Sequence, residues 1–473
     1  MVRTAVLIVS LVSICGWAQA EHEGARRVKF LSYPDCIELR NPGGTVVVLC
    51  HQVGGRVLSY SHQGKESLYI SPKEKEWVAG GKLKPTSAGR FDIGPEYLIP
   101  KRPELWNGEW QAEIIGPRAA RLTSQPSPGA GVRLVREFRL AADSSSLECK
   151  QIIENTSGEV QSWCHWGRMF AIHGGIGIVP LTPERQRFPE GYIMMRGRDE
   201  MLINPEDKNI RRRGDFLEIL GPPAEPKLGF DSFAGWFAYQ MPNDLAFVKT
   251  YETYPDSLYG EIAGLTISIW YPEADRIPAC ELEPIGPMET LLPGARASFT
   301  ENWHLIPNRF PPAGEELDIG ALVRKASEVI DWAPRWSFAG DDVSLALSFD
   351  EADDVVMVCV TGTELKDVEP PFATVIYHAT VTEVLKGARS VGERVRLRIG
   401  TDGLPEDEGE RKAYIDARDQ KGRLMFAFLE GDEDDDGEIW ADWTLLPEYD
   451  LQMHRFLKRL TERGGTPRPP SGE

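Results

Sequence analysis

From residue 28 to residue 306 the chain carries strand patterning and turn signals at close spacing, with almost no helical periodicity between them. Apolar and polar residues alternate in Val132 to Leu140, in Leu147 to Ile153 and in Leu265 to Trp270. Asn-Pro-Gly-Gly at 41–44, Asn-Thr-Ser-Gly at 155–158 and Leu-Pro-Gly at 292–294 supply turn chemistry between such runs. Many short strands without intervening helices leave room for little but an antiparallel β-sandwich. The fold class expected is therefore all-β: a large antiparallel β-supersandwich, followed by a small β-barrel domain.

The stretch Thr45 to Pro72 shows how such a sandwich begins. Val46 to Cys50 is a continuous apolar run, suited to a strand buried on both faces. Gly54 and Gly55 then let the backbone bend or approach another segment closely. Val57 to Tyr60 predicts a second strand and, after Gly64, Ser67 to Ile70 a third. Residues 199–230 look irregular and Pro-rich, with a basic triplet at Arg211 to Arg213, and are expected to form a solvated loop.

The net charge of −19 disfavours a nucleic-acid backbone or an anionic membrane surface, both of which call for a basic stripe. Arg3, the apolar run Ala5 to Ile14 and Ala18-Gln19-Ala20 have the layout of a secretory signal peptide over residues 1–20. The expected location is secreted or periplasmic, with no transmembrane anchor. Export makes the cysteines interpretable. If 155–158 is a hairpin loop, Cys149 and Cys164 face each other across a ladder, at a separation a disulfide bridges. Cys36 and Cys50 flank 41–44 in nearly the same way, one residue out of register. Buried free thiols are the alternative for both pairs.

A single helix is predicted from Leu317 to Trp332, where Ile319, Leu322, Val323, Ala326, Val329 and Ile330 share one face. A second unit follows, with strands expected at 355–362, 374–385, 394–399 and 423–429 and a terminal helix carrying Met453, Phe456, Leu457 and Leu460. The divisions expected are 1–20 signal, 21–310 sandwich, 311–339 helix and linker, 340–462 barrel and 463–473 disordered tail. No cofactor is implied, except that Asp432, Asp434 and Asp436 before Gly437 resemble a calcium loop. Trp443 stands where a bidentate Glu would complete it, so an acidic hairpin loop is the alternative.

Strand parity picks out residues that could carry chemistry. Arg136 falls with the apolar set of its strand and Glu301 with that of Phe299 to Leu305. Such charges either pair inside the sandwich or line a ligand cleft. His165, Trp166 and Arg168 lie within eight residues of one another and of His173, and histidine can serve as a general acid at neutral pH. Arg90, Glu96 and Trp106 bring charge and an aromatic face to a predicted loop. The thirteen tryptophans suit either pyranose stacking or a large core.

Gly54-Gly55-Arg56-Val57-Leu58-Ser59-Tyr60 together with Cys280-Glu281-Leu282-Glu283, Gly286-Pro287, Leu292-Pro-Gly294 and Trp303 resembles the galactose-mutarotase-like supersandwich proteins, specifically a poorly characterised bacterial branch. The resemblance spans about 28–306. Residues 379–397 look similar to small NTR/TIMP-like OB barrels. The first resemblance implies recognition of a saccharide, and possible aldose 1-epimerase-like turnover. In that case Glu281 or Glu283 would be the base and His165 or His173 the acid, while Arg56, Arg90, Glu96, Trp106, Arg136, Trp166, Arg168 and Glu301 would be binding residues. The rival expectation is a non-catalytic cell-envelope protein whose OB-like unit binds a protein partner.

Overall fold

The computed structural model describes residues 22–81, 87–197, 200–255, 257–329, 352–369, 372–401, 424–430 and 438–441. The expected signal peptide, Asp432, Asp434 and Asp436, and the segments expected to form the linker after residue 330, a terminal helix and a tail lie outside the described residues. Two large antiparallel sheets, of 12 and 10 strands, pack face to face. Their inner faces share one core that includes Ile37, Leu49, Phe91, Met169 and Leu282 from the first sheet and Leu134, Phe247, Phe299 and Leu305 from the second.

The meander opens the first sheet as expected. Tyr33–Arg40, Thr45–Cys50 and Arg56–His62 are consecutive antiparallel neighbours, and Thr45–Cys50 is almost wholly buried. Ser67 to Ile70 is not a strand. Its only ladder contact is a single bridge from Leu68 to Ala171, because Lys65–Glu66 completes a tight return around Gly64. The Gly-Gly corner is a close approach. A β-carbon on Gly55 would sit 2.4 Å from the Trp110 ring, and one on Gly54 would sit 2.3 Å from the Trp106 carbonyl oxygen. Both glycines have positive φ, so the corner needs them on conformational grounds as well.

Two other expectations are corrected. Residues 200–230 contain strands at Glu200–Leu202, Ile210–Arg213, Phe216–Ile219 and Lys227–Phe230. Arg211 and Arg213 both bind the buried Glu218 carboxylate, at 2.5 and 2.9 Å, so two of the three arginines neutralise an acid on the hairpin partner rather than lying in a solvated loop. Asn155 to Gly158 is not a hairpin loop either. Leu147–Asn155 belongs to the second sheet and Gln161–Ile172 to the first, so the segment crosses the sandwich. Cys149 and Cys164 consequently lie in different sheets, both as buried free thiols. Cys36 and Cys50 are direct partners in the ladder, not one residue out, and are also free and buried.

The last hairpin ties the halves together. Ala279–Leu291 pairs with Gln161–Ile172 on one side and Ile267–Trp270 on the other. Arg296–Pro307 pairs with Leu147–Asn155 and with Leu245–Tyr251. In each sheet the earlier strands thus form two separate groups joined only by a strand of this hairpin.

The helix runs Ile319–Ser327, capped by the Asp318 carboxylate on the Ala321 amide at 2.9 Å. It lays Ile319, Leu322 and Ala326 onto a patch containing Ile178, Ala238 and Val248 of the second sheet. Five later strands, Asp354–Glu369, Phe372–Lys386, Arg394–Thr401, Leu424–Glu430 and Ile439–Ala441, close into a barrel around Val356, Val358, Val375, Leu397 and Ala427. Among the described residues no helix is long and apolar enough to cross a membrane.

Candidate functional site

The outer face of the first sheet carries an unusual density of charge. Gly89–Gly94, Gln161–Ile172, Ala279–Leu291, Ile267–Trp270 and Lys227–Phe230 are successive neighbours there. Phe91, Ile93, Met169, Leu282 and Ile269 turn into the core. Period-2 alternation therefore sends Asp92, Trp166, Arg168, Phe170, Glu281, Glu283 and Trp270 to the opposite face. Register brings them together, since Trp166 lies opposite Asp92, Phe170 opposite Glu281, and Trp270 opposite both Glu281 and Lys227.

The result is a cleft of about 290 Å³ lined by Glu96, Trp106, Arg168, Phe170, Lys227, Trp270, Arg276, Glu281 and Glu283. Arg168 is its hub. Its Nε donates to Glu281 at 3.0 Å, stands 3.1 Å from a Glu283 oxygen, and its Nη1 is 3.9 Å from Asp92. The guanidinium also lies 5.4 Å from the Trp106 ring centre and 5.3 Å from that of Trp166. Asp92 is in turn held by Arg102 through two hydrogen bonds of 2.7 and 2.5 Å. Lys227 donates to Glu96 and sits 5.1 Å from the Trp166 ring centre. Arg90 supports Trp106 from beneath, 4.0 Å from its ring and hydrogen-bonded to its carbonyl oxygen at 3.1 Å. The short helix Pro103–Trp106 and the Gly54 amide, which donates to the Gly108 carbonyl at 2.8 Å, fix that loop in place.

Glu283 is the exceptional group. It is 1% exposed, and neither carboxyl oxygen has a hydrogen-bond partner, because the Arg168 Nε–H is directed at Glu281. Burial, and then the charge of Glu281 two residues away, push its pKa up to about 8, against the pull of Arg168 and Lys227. Burial alone would lower the Lys227 ammonium, but Glu283 and Glu96 outweigh it and hold that group above its ordinary value. A buried carboxyl that is mostly protonated near neutrality, set beside a carboxylate bound by arginine, can both donate and accept protons.

Of the residues expected from sequence, Glu281, Glu283, Glu96, Trp106 and Arg168 meet in this cleft, with Trp166 and Arg90 directly behind it. The others lie elsewhere. His165 faces the core, stacked between Phe91 and Phe299 with ring centres 5.7 and 5.8 Å away, and its Nε2 is 3.0 Å from the Ala297 carbonyl oxygen. Parity explains this, since Trp166 and Arg168 take the opposite face. His173 is half-buried, 3.2 Å from the Pro272 carbonyl oxygen and edge-on to Tyr271. Arg56 is fully buried against Glu74, Tyr33 and the Val53 carbonyl, at 2.6, 2.8 and 2.9 Å. Glu301 lies between the sheets, bound by Lys249 at 2.8 Å, Gln151 at 2.5 Å and the Trp303 indole at 2.8 Å. Arg136, also between the sheets, reaches the Gly55 carbonyl oxygen at 2.9 Å, and burial brings its pKa down to about 10. Gly167 leaves room for Glu301, since a β-carbon there would stand 1.9 Å from its Oε1.

Lys227, Phe170, Trp270 and Arg276 complete the lining although sequence did not single them out. The signal for Trp270 was present, because Ile267 and Ile269 claim the core and leave Ser268 and Trp270 facing outward. Lys227 was hidden by the misreading of 199–230 as loop.

No family model and no curated protein matches the chain. Among solved structures it is similar to a galactose mutarotase-like protein from Lactobacillus casei, at 11% identity and a TM-score of 0.42, over 57% of this chain and 100% of that one. A galactose mutarotase-like protein from Clostridium acetobutylicum matches at 12% identity and a TM-score of 0.39, over 60% and 98%. A galactose mutarotase related enzyme from Lactobacillus acidophilus matches at 11% identity and a TM-score of 0.40, over 57% and 97%. Likeness this slight carries no role across, and the chemistry of the cleft rests on its own residues.

Proposed function

We propose that this chain is an exported carbohydrate-recognising protein that holds a sugar ring in the cleft between Trp106 and Trp270. The observation that carries the reading is the conjunction of indole faces with a buried carboxyl that has no hydrogen-bond partner, Glu283. Indoles offer apolar surface to the C–H face of a pyranose, and the carboxyl offers a directional partner to a hydroxyl.

The same pair of acids suits aldose 1-epimerase-like turnover. The Arg168-bound carboxylate of Glu281 would take the proton of the anomeric hydroxyl, and protonated Glu283 would give its proton to the ring oxygen as the C1–O5 bond breaks. Rotation about C1–C2 of the open-chain aldehyde and reversal of both transfers would then yield the other anomer. This assignment uses two carboxyl groups because neither His165 nor His173 lines the cleft. That same absence of a histidine from the lining favours a second reading, binding without turnover, in which the five-stranded barrel, as an OB-type unit, recruits an envelope partner.

Tryptophan-fluorescence titration with a panel of aldoses, coupled to polarimetry, tests the proposal. Saturable quenching is expected. Mutarotation above the spontaneous rate that is lost in Glu283→Gln and Glu281→Gln would support turnover, and quenching without rate enhancement would support binding alone. No response to any sugar sinks both.

A further inference from the structure

The charges of the cleft are not equally available. Arg168 has committed its Nε to Glu281 and Glu283 and faces Asp92 with Nη1. Lys227 is committed to Glu96. Arg90 is covered by the indole of Trp106. The remaining cation, Arg276, is exposed at the rim, 5.2 Å from the Trp270 ring centre, where water screens it. On the acidic side, Glu281 receives the Arg168 hydrogen bond, whereas Glu283 is buried with both oxygens unsatisfied.

A ligand anion entering this cleft would be desolvated against Glu283 and Glu281 while finding Arg168 and Lys227 already paired with carboxylates. A ligand ammonium would do the reverse, giving Glu283 the hydrogen bonds it lacks and a further cation beside Arg168. Resting on the saccharide reading above, we infer that the cleft selects by charge, taking amino sugars in preference to neutral sugars and excluding uronates and sugar phosphates. Glu283 is the residue that sets this order. Lys227 reinforces it, because its pairing with Glu96 leaves no ammonium free to meet a carboxylate or phosphate.

The high pKa of Glu283 fits this arrangement, since a buried carboxyl that shares Arg168 with Glu281 and has no hydrogen bond of its own stays protonated until a further cation arrives. Binding of an amino sugar should therefore release a fraction of a proton at neutral pH, whereas binding of the neutral counterpart should not.

The test is calorimetric titration of the full-length protein at neutral pH with glucose, glucosamine and glucuronate, and with galactose, galactosamine and galacturonate. In at least one of the two series the amino sugar should bind about tenfold tighter than the neutral sugar, and the uronate at least about tenfold weaker, one unit of pKa-scale free energy each way. Glu283→Gln should bring the amine-to-neutral ratio to about one. The wild-type order decides the matter even if that variant does not fold. A uronate that binds as tightly as the neutral sugar, or an amino sugar that binds no tighter, overturns the charge selection and leaves the saccharide reading standing. Failure of all six sugars to bind overturns both.

Discussion

Replacing Glu283 by Gln should change how the stability of the protein depends on pH. The carboxyl titrates at about 8 in the folded chain against an ordinary value of 4.5. A carboxyl raised on folding stabilises the native state while it is protonated. Its contribution is therefore complete below the unfolded value and is lost as pH rises through the folded one. Two protonation curves with these midpoints give a loss of about 4 kcal/mol between about pH 5 and about pH 8.5. No allowance for solvent screening is needed, because the side chain is 1% exposed. Glutamine keeps the shape of the protonated acid and cannot ionise, so the variant escapes the loss. Relative to wild type it should gain about 4 kcal/mol over that range, or roughly 8 °C in melting temperature for a domain of this size. Differential scanning fluorimetry of the two proteins side by side measures the gain. A difference in melting temperature that is flat with pH would refute the reasoning, and one of opposite slope would place the Glu283 pKa below its ordinary value.

Two further perturbations probe the frame around the cleft. Arg56→Ala strips the cation from Glu74, whose side chain is fully buried, and should cost about 3–5 kcal/mol in chemical denaturation. Adding Glu74→Ala should restore part of that, and a cost below about 1 kcal/mol for the single variant would show the pair to be dispensable. Oxidation of the purified protein with diamide should join Cys36 to Cys50, which are opposite in the ladder, with the loss of one hydrogen from each thiol to the oxidant. Peptide mass mapping reads the linkage, and a bond joining Cys149 to Cys164 would contradict the assignment of those two residues to different sheets.

The architecture was legible because alternation in Val132 to Leu140 or Ile267 to Trp270 states which side chains face a core. The same parity placed Arg136 and Glu301 on inward faces. It could not say which outward faces adjoin, since that depends on strand order, and Ala279–Leu291 reaches its neighbour Gln161–Ile172 only after more than a hundred intervening residues. Sequence therefore offered His165 and Arg168 together as site candidates, and the core claimed His165 between two phenylalanines. The reading of 155–158 as a hairpin failed for a related reason. Its Asn-Thr-Ser-Gly chemistry suits a reversal of direction whether the chain returns beside itself or, as here, passes to the facing sheet, with the Thr156 amide donating to the Gly131 carbonyl oxygen at 3.0 Å as it leaves. Residues 199–230 misled because short strands rich in Pro and charge carry little alternation to read.

The closing hairpin also dictates the order in which this molecule can come into being. As the chain emerges from the ribosome, some 280 residues must appear before either sheet can be completed, and until then Leu147–Asn155 and Gln161–Ile172 each present an unpaired edge. Assembly that waits on such distant partners is slow and leaves those edges open to mispairing. The acids of the cleft arrive on the very strand that ends the wait. Asp92 and Arg168 are therefore held at an unfinished margin until Glu281 and Glu283 slide in beside them, and a nascent chain stopped short of residue 279 has neither a whole sandwich nor the two glutamates that complete the ion cluster around Arg168.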